Sequence, residues 1–306
     1  DLYIIKQLLM KRYTYPSIAY IFILILYSCQ TELTPIDERW QFVSGKREIA
    51  ISGISPTSDT NKYLVVHDNK KKGQLRVGLI NLDADSLYVG LKWPSETLPI
   101  DLEALSNIPG LKNEYIAMGS WGFCYWIKLD LQSNTIDIIK EFRIPDSGPP
   151  LNLENLLIIR KNNNTYISWA HRGSDSEESI LFWGSISLFD DDITISVEDS
   201  IFINLPWPIT SKRNMSDMDI DNNNILWTSS TSDPGDDGPY QSAIYKIGKF
   251  EVLKEKLYFN ISDSFPKQYV FKKNKVEALT VNDNKIVFAT DDENLGAAIN
   301  FTIDGY

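Results

Sequence analysis

Lys275-Val276-Glu277-Ala278-Leu279, followed after a short loop by Lys285-Ile286-Val287-Phe288, decides the fold, because the chain repeats this pattern. Asp101-Leu102-Glu103-Ala104-Leu105 leads in the same way to Glu114-Tyr115-Ile116-Ala117. Asn152-Leu153-Glu154-Asn155-Leu156 leads to Thr165-Tyr166-Ile167-Ser168, and Ser216-Asp217-Met218-Asp219-Ile220 leads to Ile225-Leu226-Trp227-Thr228. A degenerate first copy joins Ser52-Gly53-Ile54 to Lys62-Tyr63-Leu64-Val65. The anchors at 53, 103, 154, 217 and 277 are 50, 51, 63 and 60 residues apart. Four-stranded propeller blades repeat every 40–50 residues or so before insertions. The expectation is an all-β chain, a β-propeller with five four-stranded blades over residues 40–306. A sixth blade is possible if Trp40 to Ile51 pairs with the C-terminal strands. In either case an N-terminal strand closes the ring against the last sheet. The rival, a pair of β-sandwiches, leaves the recurring acid unexplained.

The segments between anchors agree. Short runs rich in β-branched and aromatic residues, such as Leu75 to Leu82, Phe123 to Leu129, Ile180 to Phe189, Ala243 to Ile247 and Ala298 to Ile303, read as strands. Asp221-Asn222-Asn223-Asn224, Lys161-Asn162-Asn163-Asn164 and Asn282-Asp283-Asn284 supply turns that tolerate left-handed backbone. Composition sets the outer limits. The 306 residues are 43% hydrophobic and carry 41 acidic against 30 basic side chains, a net charge of −11. That balance fits a folded domain and argues against a nucleic-acid partner, since no basic stripe offsets phosphate repulsion. Two cysteines exclude a disulfide framework and a multi-cysteine zinc site.

The repeat also nominates a site. The first strand of each blade lines the channel of a propeller, so Glu103, Glu154, Asp217 and Glu277 would surround one axis. Converging carboxylates repel, and they bind a cation, pair with a base or accept from backbone amides. With oxygen donors and no His/Cys cluster, calcium is the expected guest. The alternative is that each acid caps turns within its own blade. A second ring, 13 to 18 residues beyond the anchors, holds His67-Asp68, Ser120, His171-Arg172, Ser229-Ser230 and Asp291-Asp292-Glu293-Asn294. The only two histidines thus fall at equivalent places, as ligand-binding candidates with Arg172 or as satisfied strand-end residues. The loop Ser232-Asp233-Pro234-Gly235-Asp236-Asp237-Gly238-Pro239 sets three carboxylates among turn formers, which makes Asp236 and Asp237 candidates to wrap a ligand or cation, or a solvated turn. Loop aromatics (Trp93, Trp121, Trp169, Trp183, Trp207, Tyr240) would line a ligand site or pack the blades. No nucleophile elbow, Gly-rich phosphate loop or His-Glu-x-x-His motif occurs.

Residues 1–28 read as an address. Met10-Lys11-Arg12 and the apolar run Ile18 to Leu26 form the basic and hydrophobic parts of a signal peptide, too short for the roughly 20 apolar residues of a spanning helix. Translation would begin at Met10. Leu26-Tyr27-Ser28-Cys29 resembles the lipobox of bacterial lipoproteins, with Tyr27 bulky for its slot. That resemblance implies lipidation at Cys29, a polar tether over 29–39, and anchoring to the bacterial envelope, with the outer membrane or cell surface as the expected place. Removing 1–28 strips three basic residues and one acid, taking the net charge to −13. Cys124 is left as a buried strand thiol.

Lys275-Val276-Glu277-Ala278-Leu279 with Ala289-Thr290-Asp291-Asp292-Glu293-Asn294, and Asp101-Leu102-Glu103-Ala104-Leu105, resemble the "EGL … SDND" and "DLEGL" segments of phytase-like, esterase-like propellers. The loop around Asp233 to Gly238 with Ala243 to Ile247 is similar to bacterial members of that group. The likeness extends over residues 50–306 on about twenty-five positions. It implies calcium held by Glu277, Asp291 and Asp292, bridging to substrate phosphates with basic help. Alanine replaces the motif's glycine after Glu103 and Glu277, and only Arg172, Lys212 and Arg213 offer basic help. The expected function is an envelope-anchored propeller that binds a small-molecule or protein ligand, or a cation. The alternative is a calcium-dependent phosphoester or ester hydrolase.

Overall fold

A computed structural model of the chain describes residues 39–188, 192–282 and 285–302. Twenty-one strands and two short 3-10 turns make up its regular structure, with no α-helix among the described residues. The segments read as signal peptide, lipidation site and most of the tether lie outside them, as does the turn at Asp283-Asn284.

The strands fold as five antiparallel sheets. Blade one is β2 (Gly53–Pro56), β3 (Lys62–Val66), β4 (Val77–Asn81) and β5 (Tyr88–Leu91). Blade two is β6 (Leu102–Asn107), β7 (Glu114–Gly119), β8 (Phe123–Asp130) and β9 (Thr135–Arg143). Blade three follows as β10 (Leu153–Lys161), β11 (Asn164–His171), β12 (Ser179–Ser187) and β13 (Thr194–Ile203). Blade four is β14 (Lys212–Ile220), β15 (Ile225–Ser232), β16 (Gln241–Leu253) and β17 (Lys256–Ile261). It gains a fifth strand, β18 (Lys267–Phe271), because β16 is thirteen residues long and pairs β17 along one half and β18 along the other. Blade five combines β19 (Val276–Asn282), β20 (Lys285–Thr290) and β21 (Ala297–Phe301) with the N-terminal β1 (Gln41–Ser44) as its outer strand. The N-terminal segment therefore completes the fifth blade and founds no sixth. The pairing of β1 with β21 seals the ring and leaves only the short β1 as that blade's outer edge.

There is no single central core. Five apolar clusters sit instead between neighbouring blades, such as Leu157, Tyr166, Trp183 and Met215, Tyr245, Phe250 between blades three and four. Trp227, Ile244 and Phe271 meet Val276, Leu279 and Phe288 between blades four and five. Each inner sheet is apolar on both faces, which is why β3, β7, β11 and β20 read as unbroken hydrophobic runs. Cys124 is one of these interblade residues, buried and reduced, as the sequence suggested. Trp93, Trp169, Trp183 and Tyr240 are buried, and Trp207 packs against the cluster between blades three and four. Trp121 alone of the six loop aromatics is exposed.

Around the channel the inner strands are stitched by side chains reaching to the next blade's backbone. Ser55 Oγ accepts from the Asn107 amide (3.1 Å), and Ser106 Oγ from the Ile158 amide (2.9 Å). The Asn155 amide side chain donates to the Met215 carbonyl (2.9 Å), and Asp217 Oδ2 accepts from the Leu279 amide (2.7 Å). Four of the five junctions are joined this way. The Lys161–Asn164 hairpin turns on Asn162 and Asn163, both at positive φ, as its run of asparagines required.

Candidate functional site

The charged residues gather at one mouth of the channel, where the inner strands begin and their neighbours end. Glu103, Glu154 and Glu277 occupy the same place in three blades. Each is the extra residue of a β-bulge between the first two strands, beside the pairs Leu102–Gly119, Leu153–His171 and Val276–Thr290. A bulge re-aims one side chain out of the sheet's alternation, here toward the axis. The repeat thus has a structural cause.

Blade four departs from it, and the expectation for Asp217 is corrected. The irregularity in β14 falls between Arg213 and Asp217, so Asp217 lies beyond the bulge. Its carboxylate is buried and accepts from the amides of Met218 (2.8 Å) and Leu279 (2.7 Å), a bond across blades that leaves it outside the ion-pair cluster. The same offset displaces Ser229-Ser230, which are buried within β15, while Asp233 reaches the mouth in their stead. The basic member at the mouth of blade four is Arg213.

Three cations bind the acids of blades three to five. Arg172 donates to Glu154 (2.6 Å). Arg213 donates to Glu277 (2.7 Å) and to Asp233, and stands 3.6 Å from Glu154. Lys275, wholly buried, donates to Glu293 (2.6 Å) and lies 3.3 Å from Glu277, 3.7 Å from Asp291 and 3.7 Å from Asp233. Burial alone would depress the Lys275 ammonium, but Glu277 and Asp291 outweigh it and hold the group above its ordinary value. Arg213 is raised likewise, by Glu277, Glu154 and Asp233 against its own burial. Despite burial, Glu277 is kept below the usual carboxyl range by Arg213 and Lys275.

Blades one and two present carboxylates with far less compensation. Asp101 accepts from Ser120 (2.7 Å) and meets the rim ammonium of Lys70 (2.8 Å). Asp68 and Glu103, both part-buried, make no hydrogen bond or ion pair with any described residue. Burial raises Glu103 well above the ordinary carboxyl value, and Glu154, Asp101, Asp68 and Glu277 push the same way. Asp68 is raised by burial, Glu277 and Asp101. Glu154 is raised as well, burial outweighing Arg172 and Arg213, and its buried Oε2 has no hydrogen-bond partner. Asp291 is raised by burial and its Oδ1 accepts from the Glu293 amide (3.0 Å). Asp292 accepts from the Lys275 amide (2.6 Å) and from Asn274 (3.3 Å), which makes it a brace for that lysine. Among the described residues no three His, Cys, Asp or Glu side chains are gathered to hold a metal ion.

The two histidines do occupy matching strand ends, but neither opens to the mouth. His67 is fully buried between the Ala50 carbonyl (2.7 Å) and the Tyr88 hydroxyl (2.9 Å), and burial lowers it to about 4. His171 is buried with Nδ1 on the backbone of Asn152 and Nε2 3.3 Å from Glu177. Both serve the fold, so the ligand-binding expectation for them is withdrawn in favour of Asp68 and Arg172 beside them. Asp236 pairs with Arg47 (2.9 Å), and Asp237 accepts from Asn294 (3.1 Å). The acidic loop is thereby tied down over blade five. Arg47 and Lys275 complete the site and stood outside the sequence-level candidates, whereas Arg213 had been singled out as basic help and Glu293 as part of the second ring. Lys275 was visible as the residue opening the repeat, but nothing in its type foretold total burial.

The fold and site define a five-bladed propeller with a charged channel mouth, acidic on one side and ion-paired on the other. No protein-family model matches the chain, and no curated protein matches it. Among solved structures, a glycoside hydrolase is 12% identical over 88% of this chain and 61% of its own, with a TM-score of 0.49. A protein from Lactobacillus plantarum is 13% identical over 72% and 57%, with a TM-score of 0.41. A member of a carbohydrate-active enzyme family from Trichoderma reesei is 10% identical over 90% and 100%, with a TM-score of 0.45. The chain spans about three fifths of the length of the first two. The propeller assignment rests on the strand pairing itself.

Proposed function

We propose that the protein is a binding propeller which seats a positively charged group of its ligand at the channel mouth, between Glu103, Asp68 and the free oxygen of Glu154. The observation that carries this reading is Glu103, a part-buried carboxylate with no hydrogen bond or ion pair to any described residue, beside four other carboxylates and with Arg213 and Lys70 acting on it only from beyond ion-pair distance. Arriving positive charge relieves that repulsion and restores each acid's ordinary ionisation. The donors are oxygens, as calcium requires, yet among the described residues no three carboxylates are gathered closely enough to cage a metal ion. That favours one ammonium-like group over a caged ion. The test is thermal unfolding of the full chain in 1,5-diaminopentane and, separately, calcium chloride, at constant ionic strength, with Glu103→Gln alongside. Stabilisation by the diamine that Glu103→Gln abolishes supports the reading; no response to either cation sinks it. Calcium-stimulated cleavage of a phosphoester or carboxylic ester would replace it with the hydrolase of the phytase-like resemblance.

The lipobox-like Leu26-Tyr27-Ser28-Cys29 supports the further proposal that the propeller is carried on the bacterial envelope by a lipid on Cys29. Cys29→Ser should then move the protein from the membrane to the soluble fraction. Retention on the membrane would refute the anchor.

A further inference from the structure

Beside the acidic mouth, the rim of blade one carries a basic groove that shares Asp68, Arg47 and Lys70 with it and whose Lys46 and Lys71 have no role there. It has a volume of about 550 Å³ and is lined by Lys46, Arg47, Lys70, Lys71, Asn69 and Gln74, with Glu48 and Asp68 as its acids. Lys72 adjoins it, and Arg76 lies beneath. In a chain of net charge −11, six of the 30 basic residues (46, 47, 70, 71, 72 and 76) meet here. Arg47 and Lys70 are committed to Glu293, Asp236 and Asp101. Lys46, Lys71 and Lys72 have no carboxylate partner among the described residues.

The groove is built on a buried frame. Arg76, 1% exposed, donates through Nη1 to the Gln74 carbonyl (2.9 Å), through Nη2 to the Lys71 carbonyl (3.2 Å), and through Nε to the Pro99 carbonyl. Asn69, 6% exposed, donates to the carbonyls of Glu48 (2.8 Å) and Leu75 (2.8 Å) and so ties the loop of Lys46 to the loop of Lys70. Gln74 Oε1 accepts from the Lys71 amide (2.8 Å), and Gly73 turns the loop at φ +90°. A buried guanidinium and a buried amide thus fix the backbone of two lysine-bearing segments 24 residues apart, and the ordering cost of that backbone is met on folding and not on binding.

We infer that this groove binds a small ligand bearing at least two oxyanion groups of the sulfate, phosphate or carboxylate kind, held by Lys46 and Lys71. Its volume is that of a small-molecule site. Lysines act there as point charges that accept any of these oxyanions, so selectivity comes from the spacing fixed by Asn69 and Arg76.

The test is calorimetric titration of the full chain with pyrophosphate and succinate in separate arms at constant ionic strength. The proteins are the natural chain, Lys46→Gln/Lys71→Gln, and Lys161→Gln as a remote control. The expected result is saturable binding of at least one of these two ligands, weakened tenfold or more by Lys46→Gln/Lys71→Gln and unchanged by Lys161→Gln. Unchanged thermal unfolding of the double variant without ligand shows that the loss is one of binding. No saturable binding in any arm, or equal weakening by Lys161→Gln, overturns the proposal. Glu103→Gln should leave anion binding intact, so this site and the cation seat fail or stand separately.

Discussion

At the scale of single residues, one carboxylate at a bulge can serve three ends. Glu277 and Glu154 are held by cations, Glu103 is left without one, and Asp217, past the bulge, grips the backbone of the next blade. Sequence spacing aligned all four and could not tell them apart, because Asp217 is set apart by two extra residues in β14 and the other three by which cations the neighbouring strands bring to them. Asp217→Ala should strip the acceptor from two buried amides and cost about 1–3 kcal/mol, with Asp217→Asn in between since it keeps one acceptor; urea unfolding measures both. The buried ring of His67 should stay neutral down to about pH 4, which its ring resonances in a pH titration will show. A midpoint near the ordinary value of about 6.5 would mean that the ring is not buried as the structure has it, since burial is what lowers it.

At the scale of elements, inner strands were legible and outer ones were not. β3, β7, β11 and β20 are apolar on both faces because each lies inside two interblade clusters. β9, β13 and β17 alternate with solvent, and their burial pattern is that of a half-polar edge. β1 was anticipated only as a closing strand, since four residues carry no period of their own. Its seating depends on Gly296, at φ +90° and ψ −134°, where an added Cβ would stand 2.0 Å from the Ser44 carbonyl oxygen. That backbone region belongs almost wholly to glycine, so Gly296→Ala should destabilise by about 1–3 kcal/mol and loosen β1 from β21. Faster amide exchange in β21 than in β20 would report it. Unchanged exchange would show that the closure tolerates the clash. The basic groove was illegible for another reason: Lys46-Arg47 and Lys70-Lys71-Lys72 are visible runs, but only Asn69 and Arg76 make them one surface.

At the scale of the whole molecule, the acidic balance has a consequence for stability. Asp68, Glu103, Glu154, Asp217, Asp291 and Asp292 are all raised, chiefly by burial, and Asp219 is raised to about 6. A carboxyl whose folded value exceeds its unfolded one takes up a proton on folding. Its stabilisation is complete below the unfolded value and is lost as the pH rises through the folded one. Glu277 and Asp233, which are lowered, act oppositely at pH below the usual carboxyl range. His67 also opposes, losing stability as the pH falls from about 6.5 toward its folded value. Seven raised carboxyls outweigh one histidine in that window. The thermal midpoint should therefore be higher at pH 5 than at pH 8, and a midpoint that rises with pH would contradict the assignment.

The same carboxyls tie the fold to the proposed function, because a positive group entering the mouth must drive protons off them. Titration of the full chain with 1,5-diaminopentane at pH 6, in two buffers of different ionisation enthalpy, measures binding and proton release together. The account predicts saturable binding at one site per chain with net proton release, and loss of both in Glu103→Gln. Absence of saturable binding, or binding that releases no proton and survives Glu103→Gln, would contradict it.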